Sequence, residues 1–169
     1  MRMFVAFILV AILAVPAYTQ DTPKPGPEHE MLKKKVGTWD TSMKFGDMES
    51  KGTVTFKMEL GGMWLVGALE SELFGQKFSG KSLDSYDSAK NKYVGIWVDS
   101  MSTAPVTMEG TYDKAKKELT MTGTGPGMDR KTTTYRSVTK MPDSDTATMT
   151  MYIGDTKEPT FAVTYTRKK

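Results

Sequence analysis

The chain has 169 residues, with 23 basic and 20 acidic side chains and a formal net charge of +3. So small a charge excess predicts neither a nucleic-acid surface nor a polybasic membrane anchor. The chain contains no cysteine, which excludes a disulfide framework, so the fold must depend on its hydrophobic core. A single histidine also argues against hydrolases of the Ser-His-Asp or Cys-His type and against a typical zinc site.

The first seventeen residues have the composition of a secretory signal peptide. Arg2 precedes an apolar run from Phe4 to Val15, which is too short to span a bilayer comfortably, and the small residues around Ala17 suit cleavage. We expect residues 1–17 to be removed and the protein to be periplasmic or secreted, with no membrane attachment afterwards. An uncleaved anchor is the alternative.

Residues 18–27 are rich in proline and have little to bury, which predicts a flexible lead-in. The remaining residues, 28–169, are of a length that suits a single domain.

A short helix is predicted at the start of that domain. Residues 28–35 can form about two helical turns, with Met31, Leu32 and Val36 on one apolar edge. The three lysines at its end, Lys33 to Lys35, are expected to lie in solvent.

A sustained alternation of side chains begins at Trp39. From Trp39 to Phe45 every second residue is polar, which is the period of a half-buried β-strand. Ten such segments are predicted, over residues 39–45, 54–60, 63–74, 76–86, 93–100, 106–112, 119–124, 132–139, 146–153 and 160–167. Because closure removes exposed sheet edges, we expect an all-β, ten-stranded antiparallel up-and-down barrel.

Side-chain parity assigns a structural role to the tryptophan that opens the first strand. In the last predicted strand Arg167 shares a face with Val163 and Tyr165, and a charged residue on an apolar face needs a partner. The first and last strands are neighbours in a closed barrel, so we expect Arg167 to lie across the Trp39 ring at the barrel floor. Such a cation–π contact contributes roughly 0.5–2 kcal/mol.

Five short motifs carry a resemblance to known proteins. They are PGPEH at 25–29, VGTWD at 36–40, MELGG at 58–62, YVGIWVDSMST at 93–103 and EGTYD at 109–113. In these motifs the chain resembles the bacterial family known as "domain of unknown function 1579". Gly37 and Trp39 after a short helix, with an arginine near the last strand, also resemble the calycin group of lipocalins and fatty-acid-binding proteins. The resemblance implies a lipocalin-like barrel and no agreed activity.

Methionines of inward parity indicate a lumen that can hold an apolar guest. Met108, Met121 and Met149 lie on the inward faces of their predicted strands, and unbranched, polarisable side chains adapt to varied apolar ligands. Ten strands also enclose more space than the roughly eight whose own side chains fill a barrel. The alternative is that these methionines fill gaps in a core that binds nothing.

Polar and aromatic residues of the same parity add a candidate orienting group. Trp97 and Asp99 share one face of a predicted strand and Tyr135 lies on another wall, so Asp99 could orient a ligand beside a large aromatic ring. Arg136 or a ligand could pair with such an inward acid. The simpler alternative is that Asp99 caps the turn that follows it.

Three functions remain open at this point. The first is an exported barrel that binds a small, mainly apolar molecule through Trp97, Asp99, Met108, Met121, Tyr135 and Met149. The second is a small enzyme that uses Asp99 or Asp84 as a general acid or base, and the third is a filled barrel that acts through its outer surface. No cofactor, metal or oligomeric state is indicated; His29 could bind haem iron, or more simply make local hydrogen bonds at the helix start.

Overall fold

The computed structural model describes residues 23–169, and the expected signal peptide, residues 1–17, lies outside the described residues. Within residues 23–169 a single α-helix, α1 (His29–Lys33), precedes ten β-strands. The strands are β1 (Gly37–Phe45), β2 (Met48–Glu59), β3 (Trp64–Leu73), β4 (Gln76–Asp87), β5 (Lys92–Asp99), β6 (Val106–Asp113), β7 (Glu118–Pro126), β8 (Thr132–Lys140), β9 (Thr146–Ile153) and β10 (Phe161–Arg167).

The strands form one closed barrel. Each strand pairs antiparallel with the strands before and after it, and β1 closes the ring against β10, with Trp39 opposite Arg167. Closure pairs the two edge strands that an open sheet would leave exposed. The ten-stranded antiparallel up-and-down barrel predicted from the sequence is therefore confirmed, together with the short helix that precedes it.

β2 and β7 extend furthest beyond the segments that the alternation of side chains predicts. The prediction begins the second strand at residue 54, whereas β2 begins at Met48 and pairs with β1 from Met48 to Phe56. Residues 49–51 are all polar, so only their pairing with β1 makes them strand. β7 likewise continues beyond its predicted end at residue 124 to Pro126, because Pro126 still lies opposite Thr132.

α1 is shorter than predicted and ends at Lys33. The backbone N–H of Lys35 donates to the Leu32 carbonyl at 3.0 Å, a tight turn that directs the chain toward β1. Met31 and Leu32 are buried as predicted, but Val36, assigned to the same apolar edge, is 38% exposed because the helix ends before it. Among residues 23–169 no helix has the length and apolar character needed to cross a membrane.

The helix covers one end of the barrel, here termed the closed end. The core there joins α1 to the strand interiors and contains Met31, Leu32, Trp39, Val54, Phe56, Leu65, Tyr93, Leu119 and Met121. Tyr93 Oη donates to the Glu28 carbonyl at 3.0 Å, and burial raises the pKa of Tyr93 to about 12, so the hydroxyl keeps its proton. The opposite end, at the β1–β2 and β3–β4 turns, is termed the open end.

Arg167 holds the closed end together around Trp39. Its guanidinium carbon lies 4.0 Å from the Trp39 ring centre, so the stacking expected from the sequence is present. The guanidinium nitrogens also donate to the carbonyls of Lys34, Val36 and Ser144, at 2.9, 2.6 and 2.8 Å respectively. One side chain thus joins the segment after α1, the last strand and the β8–β9 turn.

Candidate functional site

Alternate residues of the strands face the barrel interior, as their sequence parity predicts. On β5, Tyr93 and Gly95 are buried, whereas Ile96 and Val98 are 38% and 41% exposed. The six residues selected from the sequence all carry the inward parity, but the structure does not gather them around one cavity. They are Trp97 and Asp99 on β5, Met108 on β6, Met121 on β7, Tyr135 on β8 and Met149 on β9.

The three methionines of that set lie in the filled part of the barrel or beside its residual space. Met121 is 7% exposed, and Met108 packs against the same core cluster. Met149 lines a small cavity near the closed end. Their packing is that of core residues.

Trp97 lies towards the open end and is fixed in place. Its indole covers Gly80, where an added Cβ atom would collide with the six-membered ring, and its ring centre lies 6.4 Å from that of Phe78. Trp97 Nε1 donates to Asp99 Oδ2 at 2.8 Å. The glycine is needed here because a larger residue would displace the ring.

Both oxygens of Asp99 accept hydrogen bonds from the protein. Oδ2 accepts the Trp97 indole N–H, and Oδ1 accepts the backbone N–H of Met101 at 2.9 Å, which is the turn-capping role given as the simpler alternative. Tyr135 lies close enough that the Asp99 charge, after burial, contributes to raising the pKa of its hydroxyl. That hydroxyl donates to the Pro126 carbonyl at 2.6 Å.

Arg136 does not meet an inward acid. Its chain neighbours Tyr135 and Ser137 carry the inward parity, so Arg136 faces outward, and its guanidinium carbon lies 3.5 Å from the Tyr152 ring centre. The expected pairing of Arg136 with an acid of the lumen is wrong, because β8 places its side chain on the other face of the sheet.

Lys35 supplies positive charge to the interior instead. The expectation that Lys33 to Lys35 lie in solvent is wrong for Lys35, which lines a cavity at the closed end, with Nζ 5.3 Å from the Phe56 ring centre. The sequence position of Lys35 could have indicated its inward location, because Lys35 lies between the helix that covers the barrel and the inward Trp39. Treating the three lysines as a single charged run concealed the difference between Lys35 and the two lysines before it.

Asp84 on β4 and Tyr165 on β10 lie deep in the same region of the interior. Ser82 Oγ donates to Asp84 Oδ2 at 3.0 Å, and Asp84 Oδ1 lies 2.8 Å from where a Cβ atom on Gly95 would be. Burial raises the pKa of Asp84, opposed by the Lys35 ammonium and by the Ser82 hydrogen bond. Burial, and then the Asp84 charge, raises the pKa of Tyr165, so this hydroxyl stays protonated at neutral pH.

The cavity at the closed end has a volume of about 40 Å³. At about 10–15 Å³ for each water-sized guest it has room for roughly three, whereas pockets for drug-sized ligands occupy about 300–1,000 Å³. Its lining residues are Lys35, Trp39, Phe56, Thr139, Met141, Ala147, Met149 and Tyr165.

A larger pocket of about 570 Å³ opens at the other end, between the β1–β2 and β3–β4 hairpins. β2 and β3 are paired only as far as Gly52 opposite Ser71, and beyond this point the two hairpins separate. We term this space the hairpin cleft. It is lined by Met43, Phe45, Met48, Glu49, Ser50, Lys51, Glu72, Leu73, Phe74 and Gly75.

Two serines bridge the strands where the backbone ladder stops. Ser50 Oγ donates to the Glu72 carbonyl, Ser71 Oγ donates to the Lys51 carbonyl at 3.1 Å, and the two hydroxyl oxygens lie 2.9 Å apart. Hydrogen bonds of the serine side chains therefore replace backbone pairing at the inner end of the cleft. Sequence reasoning missed this region because the polar residues 49–51 show no alternation.

The outer region of the cleft is apolar. The rings of Phe45 and Phe74 meet edge to face with centres 6.5 Å apart. Met48 and Phe74 are 48% and 54% exposed, so water contacts large apolar side chains at this opening. Such exposure of neighbouring large apolar side chains is typical of a binding surface.

Metal-ligating side chains do not cluster in residues 23–169, which contain no group of three or more His, Cys, Asp or Glu placed to hold an ion. His29 is 3% exposed, and its Nδ1 accepts the Gly26 N–H at 3.1 Å. The local hydrogen bond given as its simpler role is present, while Nε2 has no partner among the described residues.

The sequence profile of the family described as "Protein of unknown function (DUF1579)" matches residues 24–167. The chain belongs to this family. The resemblance seen in its five motifs is thereby confirmed. No curated protein matches the chain.

Several solved structures share the barrel shape. One is described as a de novo design of a fluorescence-activating beta barrel, with 12% identity, a TM-score of 0.49 and coverage of 80% of this chain and 95% of that chain. Another, "Structure of a redesigned beta barrel, mFAP1, bound to DFHBI", has 12% identity, a TM-score of 0.45 and coverage of 80% and 96%. Similarity of shape at this identity carries no information about a ligand of this chain.

Proposed function

We propose that the protein binds a small, mainly apolar molecule non-covalently in the hairpin cleft. The observation that supports this is the size and lining of the cleft, about 570 Å³ with Met43, Phe45, Leu73 and Phe74 on its wall. This volume lies within the range of about 300–1,000 Å³ that is usual for small-molecule sites. Two methionines, Met43 and Met48, let the wall adapt to the shape of the guest.

The charges around the cleft favour a guest without strong net charge. Glu49 and Glu72 contribute two acids and Lys51 one base. Glu49 and Lys51 face each other at 3.9 Å with both side chains exposed, so their mutual attraction is weak. These groups can orient a polar substituent at the opening while the apolar wall takes the body of the molecule.

The residues selected from the sequence adjoin this site at its inner end. Ser71, at the inner end of the cleft, lies opposite Phe78, and Phe78 packs against Trp97. In our proposal Trp97 and Asp99 form the next section of the wall. Tyr135 lies beside Asp99 in the same region. The deeper members of the set, Met108, Met121 and Met149, contact a guest only where it displaces core side chains.

The alternative of a filled barrel applies to the closed half. The space there is about 40 Å³, and the core cluster of Met31, Leu32 and Leu65 occupies the region under the helix. We therefore place ligand binding at the open end. An enzymatic role for Asp99 is disfavoured because two protein donors already hold its carboxylate.

A fluorescence titration tests the proposal. The apolar probe N-phenyl-1-naphthylamine is expected to bind the unmodified protein with an increase in emission. Met48→Lys and Phe74→Asn should each weaken binding by about tenfold or more, because each places a polar group on the apolar wall. Asparagine is chosen because residue 74 has a positive φ of 54°, which asparagine tolerates.

Met128→Lys is the matched control. Met128 is 91% exposed and belongs to the β7–β8 loop at the same end of the barrel, outside the cleft lining. It should leave probe affinity unchanged. Absence of probe binding, or equal weakening by all three variants, would contradict a site in the cleft.

We also propose that the protein is exported. Its support is the apolar run from Phe4 to Val15 followed by Ala17, the composition of a signal peptide. The intact mass of protein recovered from the periplasm should correspond to loss of residues 1–17 or of one or two more. Recovery of the full-length chain from the membrane fraction would instead support the uncleaved anchor.

A further inference from the structure

Two residues whose side-chain donors lack acceptors among the described residues line the cavity of the closed end. Lys35 reaches it from the segment after α1 and Tyr165 from β10. Within residues 23–169 Lys35 takes part in none of the ion pairs, and its Nζ lies 5.3 Å from the Phe56 ring centre. Over the same residues the Tyr165 hydroxyl has no hydrogen-bond partner, and the side chains of both Lys35 and Tyr165 are partly buried. Both donors therefore need an acceptor from outside the described residues, either water or a guest that enters the cavity.

Asp84 does not fill that need. It influences both groups electrostatically, yet it forms no ion pair with Lys35 and accepts its hydrogen bond from Ser82. Burial raises the pKa of Asp84 and so favours its neutral form. A carboxyl shifted toward its neutral form offers the Lys35 ammonium a weaker counter-charge than an ordinary exposed carboxylate would.

We propose that this cavity is a binding site for a carboxylate, whose oxygens accept hydrogen bonds from the Lys35 ammonium and the Tyr165 hydroxyl. The site is separate from the hairpin cleft and does not depend on the function proposed for it. An anion fits the donors better than a neutral acceptor because one donor is a cation, and charge-assisted hydrogen bonds are roughly twice as strong as neutral ones.

The walls of the cavity define the size of the guest. Trp39, Phe56, Ala147 and Met149 provide apolar contacts opposite the donors, and the volume of about 40 Å³ suits a carboxylate with a very short hydrocarbon group. Methionine side chains on the wall give some room for adjustment. A short monocarboxylate, or the acid end of a longer molecule, has this chemistry.

The experiment compares acetate with acetamide, which has the same number of heavy atoms and no charge. Tryptophan indole N–H signals in NMR spectra report the two ends of the barrel separately, because Trp39 lines the cavity and Trp97 lies towards the open end. Acetate is expected to shift the Trp39 signal with saturation and to leave Trp97 unchanged. Acetamide should bind at least about tenfold more weakly.

Variants then assign the donors. Lys35→Met should lower acetate affinity by about tenfold or more, and Tyr165→Phe by about threefold to tenfold, since a charged and a neutral donor are removed respectively. Lys33→Met is the control, because Lys33 is exposed and pairs with Glu30 at 2.6 Å. Each variant must keep the circular-dichroism spectrum of the parent protein.

Decanoate and decanol distinguish two sources of the carboxylate, a free short acid and the acid end of a longer molecule. A shift of Trp39 by acetate alone supports a free short acid as the guest. A shift of Trp39 and Trp97 together by decanoate, without decanol reproducing it, supports the acid end of a longer molecule. Equal effects of acetate and acetamide, or full affinity in Lys35→Met, would show that the cavity does not select a carboxylate through Lys35 and would overturn the proposal.

Discussion

At the scale of single residues, Arg167 explains why a tryptophan lies near the start of the first strand. The guanidinium stacks on Trp39 at 4.0 Å while its nitrogens donate to three backbone carbonyls. Arginine suits this position because its planar group can stack and donate several hydrogen bonds at once. The pair therefore joins the chain before β1 to the end of β10.

Replacing Arg167 with alanine is expected to lower the free energy of unfolding by about 2–4 kcal/mol, because stacking and charged hydrogen bonds are lost together. Lys168→Ala removes a neighbouring exposed charge, whose pair with Asp40 has a distance of 3.1 Å, and should cost about 0–1 kcal/mol. Urea unfolding followed by tryptophan fluorescence measures both. Equal losses would mean that Arg167 contributes no more than a surface charge.

Asp84 is expected to make stability depend on pH. Burial raises its pKa in the folded protein, so the folded state holds the proton more tightly than the unfolded chain. Stability therefore falls as pH rises from the ordinary aspartate pKa through the raised one, by at most about 1.4 kcal/mol per pH unit. Below that interval both states are protonated and the penalty disappears.

Asp84→Asn removes this titration. The variant should be more stable than the parent protein near pH 7, and its advantage should shrink as the pH is lowered toward about 4. Urea unfolding at several pH values measures the difference. A difference that does not change with pH would indicate that Asp84 has the same proton affinity in the folded and unfolded states.

At the scale of elements, the decisive feature is the point where β2 and β3 separate. Backbone pairing ends at Gly52 opposite Ser71, and the serine bridge there is the last hydrogen-bonded connection before the hairpin cleft opens. Ladders that end early leave strand termini free to move relative to each other. The β1–β2 and β3–β4 hairpins can therefore act as two walls of adjustable separation.

A disulfide across this point tests whether the walls move. The protein contains no cysteine, so Ser50→Cys combined with Ser71→Cys introduces one defined pair at positions whose hydroxyl oxygens lie 2.9 Å apart. The oxidised variant should bind and release the naphthylamine probe about tenfold or more slowly if the hairpins must separate further to admit it. Stopped-flow fluorescence measures both rates.

Reduction of the disulfide should restore the original rates, and the two single-cysteine variants serve as controls. Unchanged rates in the oxidised protein, with the disulfide verified by mass, would show that the probe reaches its site without movement of the hairpins.

At the scale of the whole molecule, closure of the barrel by β1 and β10 is what makes the other contacts possible. The register that places Trp39 opposite Arg167 also places Met43 opposite Val163, so the seam is both hydrogen-bonded and packed. Without it β1 and β10 would each expose a row of unpaired backbone groups. We expect the seam to be required for folding.

Deletion of residues 161–169 removes β10 and is expected to abolish the folded barrel, giving disordered or aggregated protein by circular dichroism and size-exclusion chromatography. Deletion of Lys169 alone, which is exposed, should leave both measurements unchanged. A monomeric deletion variant with the strand content of the parent would show that nine strands can close without β10.

Membership of the DUF1579 family agrees with the five motifs recognised in the sequence, but it provides no activity. The functional proposals therefore depend on two places in the barrel, the hairpin cleft and the closed-end cavity.

Asp99 shows what side-chain parity along a strand can predict and what it cannot. Its inward direction follows from alternation along β5, whereas its engagement by Trp97 and Met101 depends on the turn that follows.

The sequence by itself determined the strands, their order, the inward faces and the Trp39–Arg167 pair, because alternation along a strand is a local property and neighbours in a meander follow chain order. The tertiary structure alone decided that β2 begins at Met48, that Lys35 turns inward and that β2 and β3 separate beyond Gly52. Those features depend on register between strands and on the direction of the chain after the helix. Neither is encoded in the alternation of side chains, since both arise only when distant segments meet.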